Sequence, residues 1–381
     1  MSTKKSPGYP TLQSIAQQLG LSRTTVAEIL GGNDRYAEKT RTQVLDAARL
    51  LNYRPDRSAQ TVRRGRSNLI GVMHFGGPLQ VANERAYYLG RNIIKTGYEL
   101  LLADSLWYPP NVPTRIDHMI SSRVEGFIFS GPSSVESGFN SAILKQLGEA
   151  HIPTVLVSSS SVKGVSTVNS DFADGFYQLT RHLLDVGHRR LTLLLASHPE
   201  SYWHGVKRLE GFVRAIQEAG GQVRPPTSVN EYRNVWNGGG IQGEVLYSTD
   251  ASKGPFCSFD LPQDAMEKLL DNGFTADALL ASNDEWAAGV ISVCIRRGVD
   301  VPRHLAVTGF DNSNIAKLSP VPITTASQQS EETCRIAVDL LVKRMQGLEE
   351  TDSDILLPCP IIIRASSGRG MRLSAPLRER S

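Results

Sequence analysis

The chain has 381 residues, 40% apolar and 21% charged, so it has room for two or three compact domains and is neither fibrous nor disordered in composition. The net charge of +3 hides an asymmetry: residues 1–67 hold twelve Lys or Arg against five Asp or Glu, a net +7, and the other 314 carry −4. No run of about 18 apolar residues occurs and the first 20 residues lack the apolar centre of a secretory signal, which argues against a membrane or exported protein and for a cytoplasmic one.

The basic end reads as three short helices. Thr11 is a hydroxyl N-cap ahead of Leu12, Ile15, Ala16 and Leu19 at helical spacing, and Gly20 ends that helix. Ser22 caps the next, whose apolar stripe is Val26, Ile29 and Leu30 before the break at Gly31-Gly32-Asn33-Asp34. A third helix is predicted from about Ala37 to Leu51, with Val44, Leu45, Ala48 and Leu51 on one face and Pro55 barring continuation.

From Leu69 the texture changes to short apolar runs separated by amphipathic stretches, the pattern of repeated βαβ units with a parallel sheet. Strands are predicted at Leu69–Met73, Glu99–Ala103, Gly126–Phe129, Thr154–Val157, Leu191–Leu195, Ala278–Ala281 and Ala306–Thr308. That number over about 300 residues exceeds one doubly wound sheet, so two lobes with a ligand cleft between them are expected. Arg224 to Pro255, rich in Gly, Pro, Asn and Ser, reads as irregular loop or hairpin, and Ser366 to Ser381 reads as a basic mobile tail. Cys257, Cys294, Cys334 and Cys359 form no C-x-x-C pair and read as core thiols, so neither a metal nor a disulfide framework is expected.

Small Ala16, a turn at Gly20 and apolar Val26 and Ile29 follow helix-turn-helix logic, in which the second helix enters the major groove N-terminus first. Arg23, Thr24 and Thr25 would then meet base edges, and Ser22 at the helix start would meet a phosphate. A positive module on a mildly acidic body is the electrostatic footprint of a polyanion binder.

The chain resembles the lac repressor (LacI/GalR) family of bacterial transcription regulators. The resemblance runs through Thr40-Arg41, Val44-Leu45, Ala47-Ala48, Leu51 to Pro55, Arg66 to Val72, Gly187-His188-Arg189-Arg190, Arg208 with Gly211-Phe212, Asn283-Asp284 and Gly309-Phe310-Asp311, in the family's order from Thr11 to Ser367. It implies a helix-turn-helix head at residues 9–57, a hinge helix and linker at 58–67, an effector-binding and dimerisation domain at 68–366, and a tail at 367–381. The implied fold is an all-α head plus an α/β, two-lobed sensor like periplasmic binding proteins, built on two doubly wound parallel sheets. Lobe 1 would span about 68–165 and 327–351, and lobe 2 about 166–326 and 352–366.

By that resemblance Arg23 and Thr24 read bases, while Ser22, Thr25 and Thr40 lie near phosphates. Where many members have Ser-Arg, this chain has Ala27-Glu28; Glu28 either accepts from a cytosine amino group or faces solvent. Ser58 to Gly65 matches the hinge helix that orders on operator DNA, with Ala59 a contact, Val62 the minor-groove wedge and Arg63 a phosphate or narrow-groove contact. In the sensor the resemblance places Phe75, Val81, Ser130, Ser158, Arg208, Asn283 and Asp311 in the cleft, with Tyr202, Trp203 and His204 where specificity varies.

That chemistry suits a hydroxylated ligand, with purines also fitting. The expectation is a homodimer on a palindromic operator, released by a sugar inducer; a purine corepressor and a sugar-binding protein without DNA activity are the alternatives. No nucleophile, base and oxyanion set, metal cluster or phosphate loop is present in the sequence, so neither an enzyme nor a cofactor is expected.

Overall fold

The computed structural model describes residues 10–54, 66–75, 80–104, 112–131, 138–234, 236, 239–248, 260–349 and 351–368. Ala59, Val62, Arg63, Cys257 and residues 369–381 lie outside them. The chain divides into two units, Met1–Ser67 and Asn68–Ser381.

In the first unit α1 (Leu12–Leu19), α2 (Arg23–Leu30) and α3 (Glu38–Leu50) form as the local signals dictate. Thr11 and Ser14 cap α1 reciprocally, the Ser14 amide donating to Thr11 Oγ1 at 3.2 Å and the Thr11 amide to Ser14 Oγ at 2.8 Å. Gly20 then takes φ +66°, a left-handed exit that an L side chain resists. Ile15, Ala16, Val26, Ile29, Val44, Ala47 and Ala48 make the core. Leu45, expected on the buried face, is 38% exposed, because Ala47 rather than Leu45 shares the face of Val44 and Ala48.

The second unit contains two sheets. The first joins β1 (Leu69–His74), β2 (Glu99–Asp104), β3 (Gly126–Ser130), β4 (Thr154–Val157), β5 (Ser166–Ser170) and a late strand, β13 (Asp354–Leu357), in the order β13-β5-β4-β3-β1-β2, all parallel. Its helices include α4 (Gln80–Lys95), α5 (Val112–Ser121), α6 (Gly138–Glu149) and α12 (Ser330–Met345). The second sheet has β6 (Arg190–Leu195), β7 (Gln222–Val223), β9 (Gln242–Tyr247), β10 (Ala278–Ala281), β11 (Ala306–Asp311), β12 (Thr324–Ser327) and β14 (Ile361–Ile362), ordered β14-β12-β11-β10-β6-β9-β7. β8 (Thr227–Ser228) pairs with β9, and only the β12–β14 pair is antiparallel among the described residues. Around it stand α7 (Phe172–Val186), α8 (Trp203–Glu218), α9 (Leu261–Asp271), α10 (Asp284–Arg296) and α11 (Asn314–Leu318).

This topology corrects three sequence expectations. The lobe boundaries near 165 and 352 are misplaced, because β5 and β13 both lie in the first sheet; the chain crosses after Ser170 and again after Leu357. Arg224 to Pro255 is not merely irregular, since β9 lies between β6 and β7 with its middle residues buried. The tail cannot begin at Ser366 or Ser367. Both are fully buried, Ser366 Oγ donating to the Val307 carbonyl at 2.5 Å and Ser367 Oγ lying 2.8 Å from His182 Nε2.

Cys294, Cys334 and Cys359 are buried thiols. Trp286 packs in the second lobe's core with Leu279, Ile291 and Val307. No helix among the described residues is long and apolar enough to cross a membrane.

Candidate functional site

In an open parallel sheet, the crevice lies beyond the strand C-termini where the strand order reverses. In the first sheet the reversal falls between β1 and β3, whose last residues, His74 and Ser130, are register partners. In the second it falls between β6 and β10, so the segments after Leu195 and Ala281, which lead to His204 and Asn283, open at the corresponding level. The sequence-predicted residues are delivered by the C-terminal ends of β1, β3, β4, β10 and β11, by α4, which carries Val81, and by α8 with its N-cap Tyr202.

The structure brings several of them together. Ser158 Oγ lies 3.1 Å from His204 Nε2, a contact from the first lobe to the second. The Arg208 guanidinium rests on aromatic faces, 5.3 Å from the Phe172 ring centre, 5.8 Å from Phe176 and 5.9 Å from Tyr202. Asp311 accepts a hydrogen bond from Gln328 through Oδ1, and its Oδ2 has no partner. Burial first, then Glu285 and Asp284, push the Asp311 carboxyl well above the usual range against the pull of Arg208. Burial, then Arg208 and Arg85, push His204 well below the usual imidazole value, so the ring is neutral at pH 7.

Others take structural work. Asn283 Oδ1 accepts from the Trp286 amide at 2.9 Å and caps α10. Phe75 stacks on Phe129 at 6.1 Å and, with Leu156 and Val162, lines a small apolar pocket. Val81 is buried, and half-buried Trp203 packs edge-on against Phe172 at 5.9 Å.

Three cleft residues, His74, Arg85 and Glu285, escaped the sequence reading. His74 is buried with neither ring nitrogen partnered, and burial, then Arg85, lower its pKa to about 4. Arg85 on α4 donates from Nη1 to Gln328 Oε1 at 3.3 Å. Glu285 Oε1 accepts from the Gln80 amide at 3.0 Å, a second contact between lobes, and its Oε2 has no partner. Buried polar atoms are nearly always hydrogen-bonded. Here unpartnered ones from both lobes, His74, Ser130 Oγ, Arg208 Nε and Asp311 Oδ2, gather at the two switch points. A groove of about 1010 Å³, lined largely by residues of α4 and α12, shares Asp311 with this cluster. The sequence signal for His74 and Arg85 was a polar residue on an otherwise buried strand or helix face.

In the head, Arg23 and Thr24 are exposed on the first turn of α2, and Ser22 Oγ accepts from the Thr25 amide at 3.0 Å. Thr40 is half-buried in the first turn of α3. Glu28 is engaged within the head: its carboxylate accepts from Tyr36 Oη at 2.6 Å and from the Arg35 guanidinium, which lies 5.3 Å from the Tyr36 ring centre.

Two family models match the second unit. Residues 89–235 match periplasmic binding proteins and the sugar-binding domain of the LacI family, and residues 180–367 match a periplasmic binding protein-like domain. Catabolite control protein A of Priestia megaterium is 26% identical over 363 residues, 94% of this chain and 99% of that protein. The transcriptional repressor CytR of Escherichia coli is 26% identical over 369 residues, 96% of this chain and 99% of its own. Among solved structures, a lac repressor dimer bound to operator and an anti-inducer aligns over 94% of this chain and 99% of its own, with a TM-score of 0.75 at 21% identity.

Proposed function

Because the chain belongs to the LacI family of transcriptional regulators, we propose that it is a cytoplasmic, homodimeric repressor whose operator affinity is set by a hydroxylated small molecule bound between the two lobes. The observation that carries this reading is the set of buried, unpartnered polar atoms that both lobes present at their switch points. Such atoms cost free energy unless a ligand or water completes them, and they include both donors and acceptors, as alternating hydroxyls require. A sugar or sugar derivative is the favoured effector. Ser22, Arg23, Thr24, Thr25 and Thr40, with Ala59, Val62 and Arg63 of the hinge, would hold the operator. The chain is read as a binding protein and not an enzyme.

In this mechanism the ligand binds one of two arrangements of the lobes more tightly, and operator affinity changes by the same factor that operator binding changes ligand affinity. The test uses the full chain. A thermal-shift screen of sugars, sugar acids, polyols and purines identifies ligands, and an operator selected from random DNA is then titrated with and without the hit. A sugar-class compound that raises the melting midpoint and shifts operator affinity supports the reading. Selective binding of purines with tightened operator binding replaces it with corepression, and failure to select any DNA site overturns it.

A further inference from the structure

Two guanidinium groups enter the cleft from opposite lobes, and neither has a carboxylate partner among the described residues. Arg85 on α4 is 5% exposed and Arg208 on α8 is 8% exposed. Arg85 makes one long side-chain hydrogen bond, to the neutral amide oxygen of Gln328 at 3.3 Å, and its Nε has none. Arg208 rests on the rings of Phe172, Phe176 and Tyr202, and its Nε is also unpartnered. The two belong to one cluster, since both act on the buried His204 ring. Asp311 is within electrostatic reach of each yet ion-pairs with neither among the described residues; its Oδ1 accepts from the Gln328 amide and its Oδ2 has no partner.

A buried cation without an ion-pair partner is far more costly than a buried neutral group, and a bidentate guanidinium is matched best by a carboxylate or phosphate. A neutral polyol would satisfy the free oxygens of Asp311 and Glu285 but leave both guanidiniums without an ion pair. From this arrangement we infer that the effector is a hydroxylated acid, whose anionic group lies between Arg85 and Arg208 while its hydroxyls meet Asp311 and Glu285. The inference rests on the cleft being the effector site.

The test is calorimetric titration of the full chain with matched sets, each a neutral sugar, the aldonate or uronate derived from it, and its phosphate ester. The expected result is that within the binding set an acid exceeds its neutral parent by about tenfold or more in affinity. Whether the carboxylate or the phosphate member leads identifies the anionic group. Arg85→Gln should bring acid and parent to within about threefold of each other, and Arg85→Lys should restore most of the preference. Should Arg85→Gln fail to fold, the wild-type ranking and the Lys variant still decide. A neutral parent that binds as well as its acids overturns the inference and leaves the cleft reading standing. If no member of any set binds the wild type, the cleft reading itself fails and takes the inference with it.

Discussion

Ser158 and His204 stand 3.1 Å apart across the two lobes, and the serine adopts φ 56°, a left-handed conformation that aims its side chain at the ring. Because burial and the neighbouring guanidiniums keep His204 neutral, its Nε2 is either the donor or the acceptor to a hydroxyl that is competent in both roles. The contact favours lobe closure before any ligand arrives. Ser158→Ala is expected to weaken closure by about 1 kcal/mol and effector binding by up to roughly tenfold. Small-angle scattering of the ligand-free chain should show a larger radius for the variant. The His204 contribution should be constant from pH 6 to 8, and a titration of closure in that range would show that the ring is not held neutral.

The second lobe's two longest helices meet through a glycine. A Cβ at Gly211 on α8 would lie 2.0 Å from the carbonyl oxygen of Ala173 and 2.8 Å from the Tyr177 amide, both backbone atoms of α7 that cannot rotate away. Gly211→Ala is expected to destabilise the sensor by about 1–3 kcal/mol or more. Gly148 on α6 has nothing within 4 Å of an added Cβ, so Gly148→Ala should instead stabilise by up to about 1 kcal/mol through helix propensity. Melting midpoints that move in opposite directions for the two alanines bear out the packing argument, and equal shifts refute it.

Local rules made most elements legible. Thr11, Gly20 and Ser22 announced the head because caps and turns are decided within four residues. The seven strands expected from apolar runs all form. The strand Ser166–Ser170 was missed because it is polar and yet fully buried, its side chains satisfied at a distance: Thr167 donates to Asp354 at 2.7 Å, and Ser170 to the Gln328 carbonyl at 2.6 Å. Losing that strand displaced the lobe boundary. In the cleft, Arg208 and Asp311 were accessible through family resemblance, whereas Arg85 and Glu285 were not. Their placement depends on α4 meeting the opposite lobe across about 200 residues of sequence, which no local periodicity encodes.

The head yields a prediction about Glu28. Its Oε2 accepts from both Tyr36 and Arg35, which hold the side chain within the head and offset its charge before DNA approaches. Glu28→Gln is expected to leave the operator's base preferences unchanged in a random-sequence selection. Arg35→Ala should instead weaken binding to all sequences, because it leaves the Glu28 carboxylate of α2 without its cation as the polyanion approaches. A changed preference at a single base pair in the Glu28 variant would restore that residue as a base reader.

Glu244 on β9 sets a pH dependence in the sensor. It is 5% exposed, it accepts from Thr192 Oγ1 at 2.7 Å, and burial raises its carboxyl from 4.5 to about 7. The folded chain thus holds a proton that the unfolded chain releases between about pH 4.5 and 7, so stability falls as pH rises through that window and the penalty is complete above it. A rise from 4.5 to about 7 corresponds to about 3 kcal/mol. Glu244→Gln keeps an acceptor for Thr192 and removes the titration. Asp284, raised to about 7 chiefly by its own burial, titrates in the same window in both proteins and cancels in their difference. Urea unfolding across pH 4 to 9 should therefore find the variant gaining on the wild type as pH rises, with the gap constant above about pH 8. A gap that does not vary with pH would mean that Glu244 is ionised in the folded protein at pH 5 as it is in water.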